Sequence, residues 1–193
     1  MSTSVSTRVR SYVKHSFVAS NSIGGIGEAL FYQFASKYLK KSKIEDVTKK
    51  KEWQKKGIDF RIDSIGYDVK FDTKATSTGN LALETVSKAK DGEVHKEGWA
   101  YTTEADCIVY ATLVGLDWAF YFFTRNEILH LIDKHTDNRK SVYNYGYNSE
   151  VVLVPKDTLS HKKIALVPLI GNPKKEHSNI LKEVHEYFVR RQK

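Results

Sequence analysis

A hairpin pattern in residues 57–72 constrains the fold more than any other part of this chain. The segment reads GIDFRIDSIGYDVKFD, in which apolar and polar residues alternate on both sides of the turn-forming run 63–66. Alternation with a period of two is typical of half-buried strands, because successive side chains point to opposite faces. The side chains predicted to face the core are Ile58, Phe60, Ile62, Tyr67, Val69 and Phe71.

The polar face of this hairpin carries two carboxylates and an ammonium group. A turn closed around residues 63–66 would place Asp59 opposite Lys70 and diagonal to Asp68. Opposed Cβ atoms lie about 5 Å apart and diagonal ones about 7 Å, close enough to share a metal ion and its water. The pattern therefore predicts a site where a divalent metal activates water for hydrolysis. Two alternatives stay open: a solvated strand face, and a site shifted by four residues to Asp72 and Lys74.

Length and composition describe a globular chain with an excess of positive charge. A chain of 193 residues is expected to fold as one domain, 1–193, without needing disulfides. The single Cys107 excludes an intramolecular disulfide and favours a reducing, cytoplasmic compartment. No apolar run approaches the roughly 18 residues that span a bilayer, so no membrane association is expected. The net charge of +8, with lysines clustered in 49–56, favours a polyanionic partner.

Apolar periodicity predicts helices on both sides of a mixed sheet, which is an α/β architecture. Residues 23–39 have helical spacing, and Glu28 borders the packed face of that helix. Thr124 and Glu127 have capping-box spacing and begin a short helix, and a last helix is predicted over 175–191. Further strands are predicted at 81–86, 107–114, 118–123, 151–154 and 164–167, with a charged loop at 88–98.

The chain divides into three predicted parts. Residues 1–20 lack acidic side chains and are predicted to be a flexible basic arm, a targeting peptide being the alternative that they slightly resemble. Residues 20–125 hold the predicted catalytic core. Residues 126–193 form a C-terminal elaboration to which no role is assigned.

The motifs together resemble the PD-(D/E)xK nuclease superfamily. Its usual pattern is a helical Glu, an Asp on one strand and Asp/Glu-x-Lys on the next, positions held here by Glu28, Asp59 and 68–70 (DVK). The proline that often precedes the first Asp is absent, since Ile58 stands there. The segments QKKGID (54–59), TGNLALE (78–84) and WAYTTEAD (99–106) are similar to those of small nucleases from phages and mobile elements. The resemblance covers about residues 28–110 and implies a restriction-endonuclease-like core.

This resemblance implies a DNA endonuclease that depends on Mg²⁺ or Mn²⁺. Asp59 and Asp68 would be the main metal ligands, since hard divalent cations prefer oxygen donors, and Glu28 would bind through water or at a second ion. Lys70 would position the attacking water and stabilise charge in the transition state. Glu84 is expected to be an outer or additional ligand.

The resemblance also implies DNA as the partner, with branched or mobile-element DNA among the substrates. Residues expected to contact it are Lys55, Lys56, Lys74, Thr78 and Asn80. Members that cut both strands often act as dimers, so a homodimer is compatible with this interpretation. The alternative is a DNA-binding accessory protein that uses the same fold without cleaving.

Overall fold

The computed structural model describes residues 23–88, 95–144, 147–159, 164–168 and 172–192, so the predicted basic arm lies outside the described residues. Within these ranges the strands form two sheets, one of six strands and one of four. Helices pack against the larger sheet, which confirms the prediction of an α/β architecture with a mixed sheet flanked by helices. The second sheet was not predicted.

The elements follow in chain order. The helices are α1 (Ile23–Tyr38), α2 (Lys51–Gln54), α3 (Lys74–Thr78), α4 (Trp99–Thr102), α5 (Arg125–Lys134) and α6 (Lys175–Arg191), with 3₁₀ turns at Thr136–Asn138 and Lys156–Leu159. The strands are β1 (Ile44–Asp46), β2 (Phe60–Ile62), β3 (Ile65–Phe71), β4 (Asn80–Lys88), β5 (His95–Glu97), β6 (Cys107–Val114), β7 (Asp117–Phe123), β8 (Arg139–Asn144), β9 (Tyr147–Pro155) and β10 (Ile164–Pro168).

The larger sheet has the order β1-β2-β3-β6-β7-β10, and all of its pairings are antiparallel except the parallel pair β3–β6. A parallel pair needs a long crossover. Here the crossover runs from β3 through α3, β4, β5 and α4 before it returns as β6. The strand predicted at 81–86 is therefore β4, which belongs to the second sheet, of order β5-β4-β9-β8.

Both faces of the larger sheet are covered by apolar packing. One face packs on α1 and α6 through side chains such as Phe31, Phe120 and Leu181. The other face packs on the second sheet and α5 through a cluster that includes Leu83, Ile108, Tyr110, Phe123, Ile128 and Val152. Strand β6 is buried along most of its length, as its continuous apolar run predicted.

Two other local features differ from or extend the prediction. The predicted charged loop 88–98 contains strand β5, while residues 89–94 lie outside the described ranges. Strand β8 was not predicted, because its sequence RKSVYN shows no clear alternation and it is held by pairing with β9. No helix in the described part of the chain is long and apolar enough to cross a membrane.

Candidate active site

The β2–β3 hairpin closes more tightly than the sequence suggested. The pairs are Phe60↔Tyr67 and Ile62↔Ile65, which leaves a two-residue turn of Asp63 and Ser64. Asp63 adopts a φ of 54°, as such hairpin turns require. The predicted register, with Asp59 opposite Lys70, was therefore wrong by two residues.

Asp59 lies directly before the first residue pair of the observed register, Phe60↔Tyr67. The Asp59 N–H donates to the carbonyl oxygen of Tyr67 at 2.8 Å, continuing the pairing one residue before β2 begins. The Asp59 Oδ2 atom accepts a hydrogen bond from the Val69 N–H at 2.7 Å. The Asp59 side chain is therefore bound to the β3 backbone at Val69, between Asp68 and Lys70.

Asp68 is fully buried rather than solvated. Its side chain points to the face that the sequence predicted to be open, but the second layer of the structure covers that face. Its Oδ1 atom lies 2.5 Å from Lys70 Nζ in an ion pair. Neither carboxylate oxygen makes a further hydrogen bond within the described residues. An anion buried with so few partners is costly, so Asp68 has capacity for another cation or donor.

The pKa of Asp59 reflects the same crowding. Burial, followed by the charge of Asp68, raises the pKa of Asp59 to about 8, although Lys70 and the Val69 N–H act in the opposite direction. At neutral pH the Asp59 carboxyl therefore keeps its proton unless a cation is added. Such a raised carboxyl pKa beside a second carboxylate is expected at a site that binds a further positive charge.

Lys70 is held between the carboxylates and an aromatic ring. Burial would lower the pKa of Lys70, but Asp68, Asp59 and Glu28 outweigh it and hold that pKa above its ordinary value. The Lys70 ammonium lies 5.4 Å from the centroid of the Trp99 ring, and its side chain is 26% exposed. Lys70 is therefore a protonated cation, as the sequence analysis expected for a residue that stabilises charge.

Trp99 was not assigned a role from sequence, although its segment contributed to the family resemblance. The preceding Gly98 donates its N–H to the Thr85 carbonyl oxygen at 2.9 Å, beside the bulge in strand β4. A Cβ atom on Gly98 would lie 2.2 Å from the Glu84 carbonyl oxygen. The second sheet thus holds the Trp99 backbone in place, and Trp99 covers Lys70.

Helix α1 brings the remaining carboxylate to the cluster. Gly27 packs so closely on Phe71 that a Cβ there would lie 2.5 Å from the Phe71 Cβ. The next residue, Glu28, is therefore held beside β3. Burial raises the pKa of Glu28 above its ordinary value, with Lys70 opposing this effect and Asp46 and Asp68 adding to it. Asp46, on β1, is a neighbouring carboxylate that sequence reasoning did not find.

Glu84 occupies a different environment from the other predicted carboxylates. Its Oε1 atom accepts a hydrogen bond from the Ser149 hydroxyl at 2.5 Å, between β4 and β9 of the second sheet. It is not among the charged groups that shift the pKa of Glu28, Asp59 or Lys70. Glu84 contributes to the site through its backbone, which packs against Gly98.

The predicted DNA-contacting residues lie at or beside the ends of helices α2 and α3. Lys55 is exposed, and Lys56 forms an ion pair with Glu104 at 3.4 Å. Lys74 is exposed on α3. The Thr78 hydroxyl donates to the Lys74 carbonyl oxygen and the Asn80 amide donates to the Thr78 carbonyl oxygen, so these polar side chains end α3 by ordinary turn chemistry.

Asp72 stabilises the local structure by accepting hydrogen bonds. Its Oδ1 atom accepts hydrogen bonds from the backbone N–H groups of Lys74 and Ala75, and its Oδ2 atom accepts one from the Tyr110 hydroxyl at 2.7 Å. Both oxygens are engaged, which disfavours the alternative site at Asp72 and Lys74. Asp106 likewise accepts a hydrogen bond from the Gly66 N–H at 2.8 Å.

Comparison with protein families, with curated proteins and with solved structures finds no match to this chain. The arrangement of its own side chains therefore carries the functional argument.

The donor set suits a hydrated divalent cation. Within the described ranges, no three His, Cys, Asp or Glu side chains are close enough together to hold a metal ion as they stand. Mg²⁺ keeps several waters and needs only one or two protein carboxylates. Asp59 and Asp68 supply two, and the unpartnered Oδ2 of Asp68 is a buried oxygen of the kind that such an ion neutralises.

Replacing Asp59 with asparagine is expected to stabilise the metal-free protein at high pH. The folded Asp59 keeps its proton up to a pKa of about 8, whereas the unfolded chain releases it near the ordinary value of 3.8. Raising the pH between these values therefore favours unfolding, by at most about 1.4 kcal/mol per pH unit. Asparagine removes this penalty and keeps an oxygen to accept the Val69 N–H.

Thermal unfolding in EDTA at pH 4, 6 and 8 measures this effect. The melting temperature of Asp59→Asn should match that of the wild type at pH 4 and exceed it by several degrees at pH 8, at about 2–4 °C per kcal/mol for a chain of this size. A difference independent of pH would contradict the assignment.

Proposed function

We propose that this protein is a Mg²⁺- or Mn²⁺-dependent deoxyribonuclease with a restriction-endonuclease-like core. One observation carries the proposal. Glu28 on a helix, Asp59 before one strand, and Asp68 with Lys70 on the next form a mutually interacting cluster around the buried Asp68. This is the arrangement of residues that characterises the superfamily which the sequence resembles.

The charge balance of the cluster supports a catalytic rather than a structural role. Structural ion pairs usually match each anion with a cation, because unpaired buried charge is destabilising. Here Glu28, Asp59 and Asp68 surround a single ammonium group, that of Lys70. The three acidic side chains outnumber the single cation, and a bound divalent cation would balance the excess negative charge.

The cation would be held by Asp59 and Asp68, with Glu28 contributing through water. When bound there, it supplies Lewis-acid activation of a phosphodiester and water of lowered pKa. Asp59 would have to lose its proton to hold the cation, so metal binding is expected to strengthen as pH rises. The Asp59–Val69 hydrogen bond keeps that carboxylate oriented along β3.

Lys70 acts as an electrostatic catalyst. Its raised pKa keeps it protonated at neutral pH, so it cannot accept the proton of the attacking water. Instead it donates hydrogen bonds to the water and to the phosphoryl oxygens on which negative charge develops. The Lys70 ammonium also lies 5.4 Å from the centroid of the Trp99 ring, a cation–π contact that favours its charged form.

Cleavage assays test the proposal directly. Purified protein is incubated with supercoiled, linear, single-stranded and four-way-junction DNA in Mg²⁺, Mn²⁺ or EDTA. We expect cleavage of at least one substrate with either metal and none with EDTA. DNA binding without cleavage of any substrate would overturn the nuclease in favour of a non-cleaving accessory protein.

A further inference from the structure

A basic cavity of about 950 Å³ lies at the opposite end of helix α1 from Glu28. Its walls are the C-terminal end of α1 with the loop that follows, the β2–β3 turn and helix α6. The charged side chains that line it are Lys37, Lys40, Lys41, Lys182 and Arg190, against Asp63 and Glu186.

The two acids of the cavity are already paired. Asp63 Oδ1 accepts a hydrogen bond from the Lys43 backbone N–H at 2.8 Å, and Asp63 Oδ2 lies 3.0 Å from His185 Nε2. Glu186 pairs with Arg190 at 3.2 Å along α6. The five cationic side chains that line the cavity outnumber these two acids, so the cavity is net positive.

Three ammonium groups of the cavity remain uncompensated. Lys40, Lys41 and Lys182 are exposed and form no ion pair with any carboxylate in the described residues. Lysines near a helix C-terminus often serve only to stabilise the helix dipole. That explanation covers Lys40 and Lys41 but not Lys182, which lies in the middle of α6 and converges on the same cavity.

The floor of the cavity offers few free groups for recognising a particular small molecule. His185 is buried, and its Nδ1 atom bonds the Tyr67 hydroxyl at 2.9 Å while its Nε2 atom faces Asp63. The polar groups of the floor thus satisfy one another. The free charges are flexible ammonium groups at the rim, which suit a polyanion better than a ligand that needs fixed donors.

We propose that this cavity binds the phosphodiester backbone of a nucleic acid away from the point of cleavage. The proposal rests on the proposed function for the choice of DNA as the polyanion. About ten residues of α1 separate Glu28 from the last helical residue, Tyr38, which corresponds to about 15 Å at 1.5 Å per residue. A duplex rises about 3.4 Å per base pair, so a duplex that runs parallel to α1 would meet the cavity roughly four or five base pairs from the cut.

Charge removal in the cavity tests the proposal. The variant Lys40→Gln/Lys41→Gln/Lys182→Gln is compared with the matched control Lys134→Gln/Lys140→Gln/Lys156→Gln, which removes the same charge from α5, β8 and a 3₁₀ turn. Fluorescence anisotropy with a labelled 30-base-pair duplex in EDTA measures the affinity at several NaCl concentrations.

We expect the cavity variant to bind about tenfold more weakly at 100 mM NaCl. Its slope of log affinity against log salt should be smaller in magnitude by about 2–3, close to one for each phosphate that a lysine no longer neutralises. The control variant should change both quantities much less. Equal losses in the two variants, or no loss in the cavity variant, would overturn the proposal.

Two further measurements separate related outcomes. A mononucleotide titrated into the wild type should bind weakly, and tight mononucleotide binding that the cavity variant loses, with DNA affinity unchanged, would instead identify a nucleotide site. If the wild type binds DNA through the cavity but cleaves no substrate, the proposed nuclease fails while this inference stands. If the wild type cleaves DNA and the cavity variant binds DNA with wild-type affinity, only this inference fails.

Discussion

Replacing Asp68 with asparagine is expected to abolish metal-dependent cleavage, with a loss of at least about a thousandfold in the single-turnover rate. Asparagine has the same shape but one oxygen fewer and no charge, so it cannot neutralise a cation bound beside Asp59. The fold should survive, because the change removes one of the carboxylates that crowd Lys70. Gel-based cleavage in Mg²⁺ measures the rate, and anisotropy measures DNA affinity, which should stay within a few-fold of wild type.

Asp117→Asn provides the matched control, since Asp117 begins β7 and takes no part in the cluster. It should cleave at the wild-type rate. Lys70→Ala should also lose cleavage while it retains DNA binding. Wild-type cleavage by Asp68→Asn would show that the hydrolytic site lies elsewhere.

Gly98→Ala is expected to destabilise the protein by about 3 kcal/mol, near the upper end of the usual range for inserting an atom into a packed region. The new Cβ would lie 2.2 Å from the Glu84 carbonyl oxygen and 2.8 Å from the Thr85 nitrogen. Both are backbone atoms of β4. This strand pairs with β5 on one side and β9 on the other, so it cannot move without breaking hydrogen bonds. The segment that carries Trp99 must therefore shift away from β4 and from Lys70.

Thermal unfolding measures the loss as a fall in melting temperature of about 2–4 °C per kcal/mol. Gly24→Ala is the control, because a Cβ there meets no atom within 4 Å. That variant should be neutral or slightly more stable. Wild-type stability for Gly98→Ala would contradict the close approach of Gly98 to β4.

The local sequence pattern was sufficient to predict much of the secondary structure. The helix predicted at 23–39 is observed at Ile23–Tyr38, and the last helix has the bounds that its periodicity indicated. The capping box was confirmed in detail, with Thr124 and Glu127 each accepting from the other's backbone N–H. These features depend on contacts between residues at most four positions apart, which a single sequence contains.

The hairpin register could not be read in the same way. Two turns of different length fit the pattern of residues 57–72, and both keep the same side chains on the same faces. The choice depends on Asp63 adopting a positive φ, and its carboxylate accepts hydrogen bonds from the Lys43 backbone N–H and from His185, far away in the chain. Asp59 consequently bonds the Tyr67 carbonyl oxygen and the Val69 N–H, and it is not opposite Lys70.

Burial of the site was the second feature beyond the reach of local pattern. Alternation predicted that Asp68 and Lys70 would share a face, and they do, in an ion pair. It could not indicate that a second sheet covers this face, because β4, β5, β8 and β9 assemble from segments up to about 75 residues apart.

By itself the sequence determined which residues are candidates for the proposed chemistry: a helical Glu28, and Asp59, Asp68 and Lys70 on a hairpin. The tertiary structure decided that Asp68 has no access to solvent, that Trp99 covers Lys70 and that the pKa of Asp59 rises to about 8. The physical reason is that residue type and spacing are local properties. Desolvation and Coulomb interactions depend on every layer that packs around a charge.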